Sequence, residues 1–135
     1  MSHKVLLVDD EAAVRDLFND LLKKEKYSVK CIATGEEALE LIKNENFDVV
    51  LLDIKLTGMN GVEVLQKIKE IKPDTVVIMI TGFGYDEDLI AKTREFGCSG
   101  YLGKNMPISQ IMSNFKLFIK TVEDKKIGKQ LKPGL

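Results

Sequence analysis

Val49-Val50-Leu51-Leu52 is a run of four apolar residues without polar alternation, and it ends abruptly in Asp53. A strand with one wet face alternates, so a short unbroken run reads as a strand covered on both faces. The chain then turns at once through Ile54-Lys55-Leu56-Thr57-Gly58-Met59-Asn60-Gly61. Asp53 is thereby carried to the carboxyl edge of a sheet, where open α/β folds bind ligands. A carboxylate so placed is a candidate reactive group.

Residues 4–8 and 76–80 are further apolar runs, followed by Asp9-Asp10-Glu11 and Thr81-Gly82. Two weaker strands lie at 29–32, interrupted by Lys30, and at 100–102, between glycines. Helical spacing of apolar residues fills the gaps. It predicts helices over 11–24 (Val14, Leu17, Phe18, Leu21, Leu22) and from Thr34-Gly35 to about 44 (Ala38, Leu41, Ile42). A third carries Val62, Leu65, Ile68 and Ile71 and closes at Lys72-Pro73-Asp74. The helix over 86–96 has a thin stripe of Leu89, Ile90 and Phe96, which predicts a weakly held element. In the last helix, over 107–122, Ile108, Ile111, Met112, Phe115, Ile119 and Val122 face inward and Leu117 outward.

Five strands alternating with five helices predict an α/β, flavodoxin-like three-layer sandwich with a parallel sheet. The wholly apolar first, third and fourth strands belong at its centre, and the two weak ones at its edges. Right-handed crossovers then favour the order 2-1-3-4-5. Its switch point lies between strands 1 and 3, where Asp9, Asp10 and Asp53 meet.

At 135 residues, 44% hydrophobic and 30% charged, the chain suits one globular domain. Residues 1–122 read as that domain, and 123–135 as a basic tail or the start of a linker to an output domain. From Lys120 onward five lysines face Glu123 and Asp124, a net +3, which leaves −4 on the first 119 residues. A total of −1 gives no general pull toward nucleic acid or anionic membrane. No helix-turn-helix or basic recognition helix appears, and no apolar run approaches the roughly 18 residues of a membrane span. Without a signal peptide, and with Cys31 and Cys98 lacking zinc or CxxC spacing, the expected compartment is the cytoplasm. His3 reads as a residue of a frayed end.

Polar residues close four of the strands: Asp9-Asp10, Asp53, Thr81 and, after Leu102-Gly103, Lys104. Taken singly, an Asp here could cap a helix, Thr81 a turn, and Lys104 could form a surface ion pair. Taken together they converge on one rim of a parallel sheet. Three carboxylates there need a counter-charge or raised pKa values. Oxygen ligands that leave room for water suit Mg²⁺. With the Lys104 ammonium and the Thr81 hydroxyl they form a clamp for a dianionic phosphoryl group, and Asp53 remains as its nucleophile.

Over residues 3–122 the sequence resembles the receiver domain of two-component response regulators. The resemblance rests on Val8-Asp9-Asp10-Glu11, Leu52-Asp53-Ile54, Gly58-Met59-Asn60-Gly61, Ile80-Thr81-Gly82 and Tyr101-Leu102-Gly103-Lys104. It implies phosphorylation of Asp53 from a sensor histidine kinase or phosphotransfer protein. It further implies Mg²⁺ held by Asp10, Asp53 and the Lys55 backbone carbonyl, with Asp9 reaching it through water. Lys104 would pair with the phosphate, Thr81 would move to bond it, and Tyr101 would swing inward. That motion would couple the site to the face of helix 4, strand 5 and helix 5, which a downstream protein, an output domain or a second copy would read. Lys55 and Phe83 fall at positions that tune dephosphorylation in the family, and bulky Phe83 would hinder the attacking water.

Two departures carry expectations. Asn105 stands where proline, after a cis bond, is usual; a non-proline cis bond costs about 3–4 kcal/mol, so a trans Lys104–Asn105 bond is expected. Thr57 also replaces a usual proline, which should loosen the loop after Asp53. The main alternative is a haloacid-dehalogenase-like phosphatase, but its DxDxT segment is absent from Asp9-Asp10-Glu11-Ala12-Ala13. A flavodoxin-like cofactor binder would need a Ser/Thr/Gly-rich loop after strand 1.

Overall fold

Backbone pairing follows from the apolar runs. The computed structural model describes residues 3–82 and 87–131, with side chains through Glu123. Five parallel strands, β1 (Lys4–Val8), β2 (Ser28–Ile32), β3 (Val49–Asp53), β4 (Val76–Thr81) and β5 (Gly100–Gly103), stand in the order β2-β1-β3-β4-β5. The helices α1 (Ala12–Lys24), α2 (Gly35–Asn44), α3 (Gly61–Ile71), α4 (Glu87–Glu95) and α5 (Ile108–Leu131) connect or follow them. In register, Leu7 stands opposite Leu51, and Asp53 opposite Ile80.

The central strands are buried on both faces because each feeds two cores. Leu6, Val8, Val50, Leu52, Val77 and Met79 pack with Ala38 and Ile42 of α2, Val64, Leu65 and Ile68 of α3, and Ile90 of α4. Their alternates Val5, Leu7, Val49, Leu51, Ile78 and Ile80 pack with Phe18 and Leu22 of α1 and with Ile111, Phe115, Ile119 and Val122 of α5. Each run is therefore apolar at every position, as period-2 side chains between two helical layers require. The edge strand β2 is only partly covered, and Lys30 lies on its open side.

Local chemistry fixes the helix starts. Thr34 Oγ1 accepts the Glu37 N–H at the head of α2, and Asn60 Oδ1 accepts the Glu63 N–H at the head of α3. Gly58, at φ +81°, makes the turn ahead of α3. Gly61 lies so close under β3 that a Cβ there would fall 2.1 Å from the Asp53 carbonyl oxygen.

Three expectations are corrected. Ile108 is 51% exposed, because α5 starts at the rim and its first residue stands above the sheet edge. The last helix does not stop at Val122 but runs to Leu131. His3 is not frayed: its Nε2 lies 3.1 Å from Glu123 Oε1, and its carbonyl accepts the Ser28 N–H. Leu117 is exposed as expected. No cis peptide occurs among the described residues, so the Lys104–Asn105 bond is trans.

Candidate functional site

The carboxyl ends of β1, β3, β4 and β5 share one rim. Asp9 is wholly buried and Asp53 nearly so, whereas Asp10 and Glu11 reach solvent. Oxygens of these four carboxylates lie within 4.8 Å of one another. Lys104 answers them across the end of β5: its Nζ is 2.6 Å from Glu11 Oε1, 3.0 Å from Asp9 Oδ2 and 3.1 Å from Asp53 Oδ2. The Lys104 N–H donates to the Thr81 carbonyl, which fixes the lysine beside β4 despite Asn105.

Backbone donors complete the cradle. The N–H of Lys55 donates to Asp53 Oδ1, and the N–H of Glu11 to Asp9 Oδ1. Asp9 Oδ2 is different. The Lys104 ammonium is its ion-pair partner at 3.0 Å, and among the described residues no other donor reaches this buried oxygen. A buried carboxylate oxygen held by the ammonium alone, in a ring of oxygen ligands, has acceptor capacity left that fits a hard divalent cation or its water. The residues present therefore suit Mg²⁺.

The electrostatics follow from burial. Desolvation, then the charge of Asp9, push the Asp53 carboxyl up to about 6 against the pull of Lys104 and the Lys55 N–H. Burial raises Asp9 as well. Burial works against the charge of Lys104, but Glu11, Asp9 and Asp53 together outweigh it and hold the ammonium above the ordinary lysine range. Asp10 is lowered, chiefly by the Thr57 hydroxyl.

Thr57 corrects the expectation of a loose loop. Its N–H and Oγ1–H both donate to Asp10 Oδ2, at 3.1 and 2.6 Å. Proline could make neither bond. Glu11 was legible only as the third acid of a run, and nothing local to it signals Lys104. Thr81 is half-buried at the end of β4, and its hydroxyl has no hydrogen-bond partner among the described residues. Phe83 lies outside the described residues. Tyr101 is tied to α4, not to the acidic cluster: its hydroxyl donates to the Ile90 carbonyl at 2.9 Å and lies 2.5 Å from the Thr93 hydroxyl. Thr93, fully buried, was missed because its short polar side chain interrupts the apolar stripe.

A family model, the response regulator receiver domain, matches residues 5–116. The chain belongs to that family. This receiver is 35% identical over 119 residues to sporulation initiation phosphotransferase F of Bacillus subtilis, covering 88% of this chain and 95% of the relative. It superposes on a CheY-like receiver domain protein of Methanospirillum hungatei with a TM-score of 0.86 at 30% identity, covering 93% of this chain and 99% of the other. NtrX of Brucella abortus matches with a TM-score of 0.89 at 26% identity, over 97% of this receiver but 30% of NtrX. The receiver family is one of phosphoryl acceptors in two-component signalling, and nothing in these similarities supports a haloacid-dehalogenase-like phosphatase. No described helix is long and apolar enough to cross a membrane.

Proposed function

We propose that this receiver takes a phosphoryl group from a phosphohistidine, on a sensor histidine kinase or phosphotransfer protein, onto Asp53. The observation that carries this reading is a nearly buried carboxylate at the sheet edge, 3.1 Å from an ammonium that two further carboxylates hold in place. An Asp53 oxygen attacks phosphorus, the P–N bond breaks, and its electron pair leaves on the imidazole nitrogen, which a solvent proton neutralises. Lys104 then follows a phosphoryl oxygen, and the Thr81 hydroxyl, without a hydrogen-bond partner among the described residues, donates to another. Asp10, Asp53 and the Lys55 carbonyl would hold Mg²⁺, with Asp9 behind a water, and the cation supplies neutralisation of the phosphoryl charge.

Tyr101 and α4 carry the response toward the face of α4, β5 and α5, where exposed Leu117 is available to a partner. The role is a switch rather than a turnover catalyst, working in the cytoplasm. Its reader is a downstream protein, an output domain beyond residue 135, or a second phosphorylated copy. Acetyl phosphate with Mg²⁺ should label the wild type on Asp53 and leave Asp53→Asn unlabelled. Label surviving in Asp53→Asn at wild-type levels would sink the assignment.

A further inference from the structure

Asp10 and Thr57 are 47 residues apart, on the loops that follow β1 and β3. Each loop carries residues assigned above to the cation: Asp9 and Asp10 on one, Asp53 and Lys55 beside the other. We propose that Thr57 is a positioning residue for this site, a latch that holds Asp10 among the other carboxylates before any cation arrives. The inference rests on the Mg²⁺ reading of the site.

Repulsion is the reason a latch is needed. Four carboxylates crowd within 4.8 Å, and Lys104 contacts Asp9, Glu11 and Asp53 but not Asp10. Asp9 and Asp53 are locked in by burial, and Glu11 by its 2.6 Å contact with the ammonium. Among the described residues Asp10 makes no direct ion pair and feels the Lys104 charge only at longer range, so rotation into water is its cheapest escape. The two donors of Thr57 oppose that escape. Both end on Oδ2, so they orient the carboxylate without using its second oxygen. Outer partners of this kind order a metal ligand in advance and thereby raise affinity.

Departure from proline at this position gives the loop a different kind of stiffness. A proline would restrict φ locally, whereas Thr57 cross-links two loops through side chain and backbone. Gly58, at φ +81°, turns the chain immediately after it.

The test is Mg²⁺ binding to the full chain, followed by calorimetry and by amide shifts of the two loops. Thr57→Val keeps the shape and the N–H but loses the hydroxyl, and should bind Mg²⁺ roughly tenfold more weakly, the low end for an outer-shell partner. Thr57→Ser restores the hydroxyl and should recover most of the affinity. Thr57→Val binding as tightly as the wild type, or more tightly, overturns the latch. So does a Thr57→Ser that stays as weak as Thr57→Val. Asp10→Asn separates the two levels. If it abolishes binding while Thr57→Val does nothing, the latch alone falls; if it binds like the wild type, the site reading falls and the latch with it.

Discussion

Burial and the neighbouring Asp9 lift the Asp53 carboxyl from an ordinary 3.8 to about 6. Between those values the folded chain keeps a proton on Asp53 that the unfolded chain has lost. Stability therefore falls as pH climbs through that window, and the full penalty applies above it. Asp53→Asn cannot ionise, so in EDTA near neutral pH it should be more stable than the wild type by on the order of 1–3 kcal/mol. Urea unfolding checks this, and the advantage should vanish below about pH 4. Lys104→Met runs the other way. It strands the carboxylates without their ammonium and should cost about 3 kcal/mol near neutral pH, the low end for breaking a buried pair. That loss should shrink in acid as the carboxylates protonate. Asp53 and Lys104 were both legible in the sequence, because each ends an apolar strand and so must emerge at the rim. Glu11 and Thr57 were not, since their partners lie 93 and 47 residues away and no local pattern encodes such a contact.

At the scale of elements, α4 is the least anchored helix. Ile90 and Thr93 are its buried residues, with Leu89 and Phe96 partly covered, so the Tyr101 hydroxyl supplies a sizeable share of its attachment. Tyr101→Phe removes that attachment yet leaves the Thr93 hydroxyl bonded to the Ile90 carbonyl, so no buried donor is orphaned. Hydrogen exchange in α4 should accelerate by an amount equivalent to about 1 kcal/mol, with the central strands unchanged. Uniform acceleration across the sheet would argue against a local tether. The thin stripe of α4 was readable from Leu89, Ile90 and Phe96. The length of α5 was not: its apolar spacing lapses after Val122, but the residues that follow are mostly good helix formers and no proline falls between Val122 and Pro133.

At the scale of the whole molecule, the strand order was legible because wholly apolar runs can lie only between two helical layers. Leu51 stands at the middle of that arrangement, fully buried, whereas Leu117 is 63% exposed. Leu51→Ala should cost about 2–5 kcal/mol, and Leu117→Ala within about 0.5 kcal/mol, both read from denaturant midpoints. The sheet also gathers four carboxylates around one ammonium, a net −3 when all are ionised. A phosphoryl donor is itself an anion, so it approaches this rim uphill unless a cation has already settled there. With Mg²⁺ bound as proposed, the rim would answer to two inputs, cation and donor together, and a donor arriving before the cation would be repelled.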